Sequence, residues 1–141
     1  MTIKANKAIV TRLMADAWGQ NRVAELDDYV SIENRHHLGA GTTIAFGPDQ
    51  MRTMIANFRG AMPDFGCKIE LVIAEDDLVV LHARFTGTQT ASFAFAGRNL
   101  APSNRTMDVP ETFIARIADG KIVESWATWD RLTMLEQLGG L

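Results

Sequence analysis

Asp130 is the residue of this sequence best placed to transfer a proton. It directly follows Trp129, where a predicted strand gives way to a short helix. Apolar surroundings disfavour the charged form of a carboxyl group and raise its pKa, which makes it a useful acid/base catalyst near neutral pH. The alternative interpretation is structural, because Asp is a preferred N-cap residue and would cap the helix that follows. One side chain can fill both roles.

Three histidines are further candidates for the chemistry. His82 lies inside a predicted strand, where its imidazole would move a proton or bind a substrate carbonyl, or would be a neutral core residue with a satisfied hydrogen bond. His36 and His37 are adjacent in a glycine-rich segment. Neighbouring residues of an extended chain point in opposite directions, so at most one of these two faces inward. The sequence shows no well-placed set of ligands around these histidines, and we predict no metal site.

Charged residues of one late strand form another candidate group. Glu111 and Arg116 lie on opposite faces if the strand is regular. Arg116 would polarise a substrate oxygen, or would be an exposed charge at a strand edge. Pro110 predicts a bulge or an edge strand here, because proline cannot donate to the hydrogen-bond ladder.

Large apolar side chains would supply the walls of any pocket, although an ordinary core explains most of them equally well. The candidates are the following: Trp18, Phe58, Met62, Phe93, Phe95, Phe113 and Trp126.

The elements that must position these residues follow from hydrophobic periodicity. Apolar residues recur at helical spacing in the first part of the chain and in alternation afterwards. The pattern predicts helices over 6–20, 23–30, 50–62 and 132–138, and strands over 68–74, 78–89, 107–117 and 122–128. Residues 31–47 are predicted to be a loop, with a brief strand at 42–46 at most. Helices followed by an antiparallel meander predict an α+β fold, in which three N-terminal helices pack on a curved, mostly antiparallel sheet and enclose a pocket.

Composition sets the class of protein. A chain of 141 residues fits one domain, 1–141, with 47% apolar and 22% charged residues. The net charge is −3 and no basic stripe is present, which argues against nucleic acid as a partner. No apolar run approaches the roughly 20 residues that span a bilayer, so we expect no membrane partner. The single cysteine, Cys67, excludes an internal disulfide, and we expect a cytoplasmic protein.

Several motifs together resemble the SnoaL-like polyketide cyclases of the nuclear transport factor 2-like superfamily. The resemblance covers nearly the whole chain and is most specific from Arg116 to Gly139. It rests on the order of these segments: Met62-Pro63-Asp64-Phe65, Gly87-Thr88, Ala101-Pro102-Ser103-Asn104-Arg105, Ile117 to Trp126, Asp130, and Leu135-Glu136-Gln137-Leu138-Gly139. Ser125 departs from the pattern, because family members often carry His just before the tryptophan.

The resemblance implies a cone-shaped fold, a homodimer or homotetramer, and acid/base chemistry without a cofactor. In the resembling cyclases the residue matching Asp130 is the proposed acid/base of an intramolecular aldol closure. Arg116 matches a basic or imidazole position, and family members often have a pocket histidine near His36. Trp18 and Trp126 match positions that face the cavity.

We therefore expect an enzyme of the cyclase, isomerase or lyase type acting on a hydrophobic, oxygenated small molecule. Asp130 would move the proton, His82, Arg116 or His36 would hold the oxyanion, and Phe58, Met62 and Phe113 would join the two tryptophans in the wall. The alternative is a non-catalytic module on the same fold that binds a small ligand or forms a dimer. The absence of a histidine at position 125 favours that alternative.

Overall fold

The N-terminal helix changes its winding halfway along. The structure is a computed structural model, and it describes residues 2–39 and 41–141. Helix α1 (Ile3–Arg12) is capped by Thr2, whose hydroxyl accepts a hydrogen bond from the Ala5 N–H at 3.0 Å. It continues directly into a π-helical turn (Leu13–Trp18). The predicted helix over 6–20 is thus confirmed, with a wider final turn that the spacing did not indicate.

The segment after this helix differs from the prediction. Helix α2 (Leu26–Tyr29) is a single turn rather than a helix over 23–30, and strand β1 (Val30–His37) follows at once. Strand β2 (Thr43–Ala45) pairs antiparallel with β1. The prediction of a loop is therefore wrong for residues 31–37, whereas the brief strand predicted at 42–46 is confirmed by β2. The inward-facing residues of β1 include Asn34 and His36, so the strand lacks the apolar alternation by which strands are recognised.

Helix α3 (Pro48–Ala61) confirms the prediction for that region. Pro48 stands in its first turn, where the fixed φ of proline suits a helix and no N–H is needed. Met51, Ile55 and Phe58 are buried at helical spacing.

The sheet is curved and mostly antiparallel. Its long strands are β3 (Gly66–Glu75), β4 (Leu78–Thr88), β7 (Thr106–Ala118) and β8 (Lys121–Trp129), and the full order is β2-β1-β8-β7-β4-β3. Only the β1–β8 pair is parallel among the described strands. A separate hairpin joins β5 (Phe93–Phe95) to β6 (Arg98–Leu100), and α4 (Arg131–Gln137) ends the chain's regular structure. The predicted α+β fold with a curved sheet is confirmed.

Strand β7 runs through the middle of the sheet, not along its edge. Pro110 pairs opposite Arg84 in a β4–β7 register that has no shift, so the predicted bulge at Pro110 is wrong, while the predicted edge is present on the β8 side alone. Strand β8 ends at Trp129, opposite Glu111, and Pro110 lies just past that last pair. Because no β8 residue pairs with Pro110, the missing N–H of the proline breaks no hydrogen bond between β7 and β8.

The two faces of the sheet differ in character. On β4 the residues Val79, Leu81, Ala83 and Phe85 are buried against the helices, which decides the inner face of that strand. The intervening residues lie on the outer face and are partly exposed. Within the described residues, no helix is long and apolar enough to cross a membrane.

Candidate active site

A cavity of about 320 Å³ lies between the inner face of the sheet and the helices. Met14 and Trp18 of the π-helical turn, Phe58 of α3, and Phe95 of the β5–β6 hairpin close it on the side away from the sheet. The sheet supplies the opposite wall, and its lining residues are mostly apolar: Phe85, Met107, Val109, Phe113, Ala127 and Trp129. A pocket of this kind suits a small hydrophobic ligand.

Glu111 is the carboxyl group of this pocket. It points inward from the centre of β7, between Ala83 of β4 and Trp129 of β8 in the strand register. Among the described residues its carboxyl group has no hydrogen-bond or ion-pair partner, and Glu111 lines the cavity. Burial, which disfavours the charged form, raises the pKa of Glu111 from 4.5 to about 8. Glu111 is therefore mostly protonated at neutral pH, with roughly a tenth ionised at pH 7.

His36 is the imidazole of the same pocket. It lines the cavity from β1, with its ring 5.0 Å from that of Phe46 and stacked at 6.3 Å on Phe113. Burial lowers the pKa of His36 from 6.5 to about 4, so the ring is neutral at physiological pH. A neutral imidazole keeps one nitrogen as a donor and the other as an acceptor.

Two polar residues behind His36 hold the ring. Its Nδ1 lies 2.7 Å from the hydroxyl of Ser125, which faces inward from β8 and is fully buried. The Asn34 amide donates to the Phe46 carbonyl at 3.0 Å and to the Ser125 hydroxyl at 3.4 Å. Parallel pairing of β1 with β8 creates this arrangement, because it sets His36 opposite Ser125 in register.

Two further polar side chains line the cavity, those of Arg131 and Asn57. Arg131, in the first turn of α4, places its guanidinium 5.6 Å from the ring centroid of Trp129. Asn57 of α3 donates to the Ala94 carbonyl at 2.9 Å and so ties the helix to the β5–β6 hairpin. The pocket therefore has polar groups on the sheet, on α3 and on α4, and the rest of its lining is mostly apolar.

Comparison with known proteins agrees with this architecture. The family model for SnoaL-like polyketide cyclases matches residues 8–138. The chain belongs to the SnoaL-like polyketide cyclase family. A candidate SnoaL-like polyketide cyclase from Jannaschia sp. CCS1 is 25% identical, with a TM-score of 0.84, over 100% of this chain and 96% of that one. A search of the curated proteins found no match.

Two further solved structures share the fold. AclR, a candidate hydroxylase from Streptomyces galilaeus, is 22% identical with a TM-score of 0.83, and 99% of each chain is covered. TsrD from Streptomyces laurentii is 24% identical with a TM-score of 0.83, covering 100% of this chain and 99% of that one. The expected nuclear transport factor 2-like cone is thereby confirmed.

Asp130 does not lie where the family resemblance placed it. It is exposed at the N-cap of α4, where its carboxylate accepts hydrogen bonds from the Thr133 N–H at 2.9 Å and the Thr133 hydroxyl at 2.7 Å. These bonds favour the charged form and lower the pKa of Asp130. The expectation of an apolar environment and a raised pKa is therefore wrong, and the structure has the capping arrangement.

His82 and Arg116 also lie away from the pocket, on the outer face of the sheet. His82 contacts the Thr112 hydroxyl through Nδ1 at 3.0 Å and approaches Glu70 at 3.6 Å. The Arg116 guanidinium binds both carboxylate oxygens of Asp77 at 2.9 Å. Successive side chains of a regular strand point to opposite faces of the sheet. Each of these two residues directly adjoins an inward-facing residue, so its own side chain points outward and does not reach the cavity. The expected oxyanion role is wrong for these two residues.

Of the residues expected to bind substrate, four line the cavity and two do not. Trp18, His36, Phe58 and Phe113 lie in its wall. Trp126 instead faces outward and stacks on His37, with ring centroids 5.0 Å apart. Met62 is fully buried against Gly87 and fills the core. The expected pocket positions of Trp126 and Met62 are therefore wrong.

The sequence made Glu111 a candidate without giving it a role, and it gave Ser125 no functional role. Glu111 occupies an inward position in the alternation Val109, Glu111, Phe113, Ala115, and a charged residue in such a row is a usable signal. The sequence marked Ser125 only as a departure from the family pattern, because its partner His36 lies on a strand that the sequence did not reveal. Among the described residues, no cluster of three metal-ligating side chains occurs.

Proposed function

We propose that this protein is an acid/base enzyme that removes a proton next to a carbonyl group of a hydrophobic, oxygenated small molecule. The observation that carries the proposal is a carboxyl group without a protein partner in an apolar pocket. Glu111 would be the base, and His36 would donate a hydrogen bond to the carbonyl oxygen. The family and the fold support a cyclase-type reaction, and the pocket supplies the groups that such chemistry needs.

The balance of protons and electrons in an aldol closure is simple. The ionised Glu111 takes the proton of the carbon beside the carbonyl, the electron pair of that C–H bond forms the carbon–carbon double bond of an enolate, and the π pair of the carbonyl moves to its oxygen. The enolate carbon attacks a second carbonyl of the same molecule, forming a carbon–carbon bond. The new alkoxide then takes the proton back from Glu111. Return of the proton to a different carbon, without closure, would be an isomerisation.

Energetics favour this assignment of roles. A general base is most effective when its pKa lies near the working pH, and Glu111, with a pKa of about 8, meets that condition. A donor already aimed at the oxygen stabilises the developing negative charge without reorganisation. Apolar walls exclude water and strengthen both interactions.

Nitrobenzisoxazole tests the proposal without knowledge of the natural substrate. A base removes its ring C–H proton, the N–O bond breaks, and a coloured cyanophenolate is released. We expect catalysis whose kcat/KM rises about tenfold per pH unit up to pH of about 8 and then levels off. The Glu111→Gln variant should lose about 10²- to 10⁴-fold in kcat/KM, as expected for loss of a general base.

The matched control is Asp130→Asn, which removes a carboxylate at the surface and keeps a good N-cap. It should turn over nitrobenzisoxazole as the wild type does. If Asp130→Asn lost the activity and Glu111→Gln retained it, Glu111 would not be the base.

A non-catalytic binding module on the same fold is the second candidate, favoured by the position of Asp130 outside the pocket. In that case the wild type and Glu111→Gln would bind nitrobenzisoxazole equally, measured by amide chemical shifts, and neither would turn it over. Binding together with turnover that depends on Glu111 would exclude this candidate.

A further inference from the structure

The buried hydrogen bonds behind His36 determine which of its nitrogens carries the proton. The Asn34 amide nitrogen donates one hydrogen to the Phe46 carbonyl and the other to the Ser125 hydroxyl. A flipped amide would set two carbonyl oxygens against each other at 3.0 Å, so the orientation of Asn34 is fixed. The Ser125 oxygen therefore already accepts one hydrogen bond.

The hydroxyl hydrogen of Ser125 then has one acceptor within reach in the described part of the chain, the Nδ1 atom of His36. Among the described residues, the contacts of its oxygen are with Asn34 and with His36 Nδ1. Ser125 is fully buried, and a buried donor without a partner costs about 1–3 kcal/mol. If Nδ1 carried the proton of the neutral ring, two donors would meet at the serine oxygen and the hydroxyl hydrogen would have no acceptor.

We infer that Asn34 and Ser125 are positioning residues, which fix His36 in the tautomer that presents Nε2–H to the cavity and so select ligands with a carbonyl oxygen at that end. Nε2 has no hydrogen-bond partner among the described residues, and the ring lines the pocket. The inference rests on the proposed function only for the role of the ligand's carbonyl oxygen. The tautomer itself follows from the hydrogen bonds.

If Ser125 fixes the tautomer of His36, it also affects which ligands the pocket prefers, which a residue that only packs would not do. Carbonyl oxygens accept hydrogen bonds and cannot donate them. A fixed Nε2–H therefore favours a ketone over an apolar molecule of the same shape. A pocket whose imidazole exchanged between tautomers would offer a donor for only part of the time and would discriminate less.

Nitrogen-15 NMR tests the tautomer directly and needs no turnover. In the wild type at neutral pH, His36 should show a pyrrole-like Nε2 and a pyridine-like Nδ1. Ser125→Ala should give averaged shifts from both tautomers, while Ser125→Thr, which keeps the hydroxyl, should restore the wild-type pattern. A protonated Nδ1 in the wild type would overturn the inference, even if no variant folded.

A pair of matched ligands tests the consequence for binding. Acetophenone and α-methylstyrene have nearly the same shape, and only the first has a carbonyl. We expect the wild type to prefer acetophenone by roughly 3- to 10-fold in Kd, as one net hydrogen bond provides. Ser125→Ala should reduce that preference, and Ser125→Thr should retain it.

The outcomes separate this inference from the proposed function. If Glu111→Gln leaves turnover of nitrobenzisoxazole intact while the tautomer depends on Ser125, the inference stands and the proposed base is wrong. If Ser125→Ala leaves both the tautomer and the ligand preference unchanged, Ser125 is not a positioning residue and the inference is wrong.

Discussion

Burial of Glu111 links the pocket to the stability of the fold. Its pKa is about 8 in the folded protein and near 4.5 in the unfolded chain, so the folded state favours the protonated form. The resulting stabilisation is complete below pH 4.5 and is lost as pH rises through about 8. His36 has the opposite sign, because its pKa falls from 6.5 to about 4, and its contribution is lost as pH falls from 6.5 towards 4.

Between pH 6.5 and 8, Glu111 titrates in the folded protein, whereas His36 is neutral in the folded protein and completes only the last half of its titration in the unfolded chain. The wild type should lose about 1–2 kcal/mol of unfolding free energy across this range relative to Glu111→Gln. Urea denaturation of both proteins at several pH values measures the difference, and other ionisable groups cancel in the comparison. A constant difference between the two proteins would show that Glu111 titrates normally.

Asp130 has a structural effect that can be measured separately. Asp130→Ala should cost about 1 kcal/mol of stability, because the α4 N-cap is lost, and Asp130→Asn should cost little. Thermal unfolding of the two variants checks this. Equal destabilisation by Ala and Asn would show that the carboxylate charge, rather than its capping bonds, is the important feature.

At the scale of elements, the contact between the end of α3 and β4 has little spare room. A Cβ atom added to Gly87 would lie 2.9 Å from the Met62 sulfur and 3.0 Å from its Cβ. Gly87→Ala should therefore destabilise the protein by about 1–3 kcal/mol, as overpacking does.

The matched control for Gly87 is Gly60 in α3, where an added Cβ would meet no atom within 4 Å. Gly60→Ala should stabilise the protein by about 0.5–1 kcal/mol through the higher helix propensity of alanine. Chemical denaturation gives both values. A neutral Gly87→Ala would mean that Met62 can move aside.

The elements that the sequence revealed are those that bury an apolar stripe. Helix α3 and strands β4 and β8 have clear helical or alternating patterns, and they were predicted close to their observed bounds. Strand β1 was not predicted, because its inward side chains are polar and its partner β8 is distant in the chain. That strand supplies His36, so half of the candidate site depends on a tertiary pairing that local patterns do not encode.

Asp130 shows the limit of a motif in another way. Its neighbours in sequence are Trp129 and Arg131, and both line the cavity. A carboxylate between two pocket residues was a reasonable candidate, yet the start of α4 turns it towards the Thr133 N–H. Whether the Asp130 side chain enters the apolar pocket or caps the helix depends on the direction of the backbone at that residue. Spacing along the chain does not specify that direction.

At the scale of the whole molecule, the outer face of the sheet predicts self-association. Leu71 and Ile73 of β3 are 49% and 58% exposed, and Val80, Ile114 and Trp126 lie beside them on that face. Covering this surface with a second copy would remove it from water. Light scattering at micromolar concentration should show a dimer or larger species, and a monomer would contradict the prediction.

A charge placed on that face should weaken the association. Ile73→Lys should shift the protein towards monomer, while Leu132→Lys on α4, where Leu132 is 59% exposed, should leave the assembly unchanged. If both variants remained associated, the contact would lie on another surface.

The parallel pairing of β1 with β8 has a consequence for the order of events during folding. His36 and Ser125 are 89 residues apart in the chain, so the wall that holds the imidazole cannot form until β8 has left the ribosome. Until then β1 has an unpaired edge, and a nascent chain carries the open edge through most of its synthesis. Closure of a loop of this length is slow compared with the formation of helices and hairpins. We therefore expect the pocket to be assembled late, and chains that stall before β8 would have neither a binding site nor a protected edge.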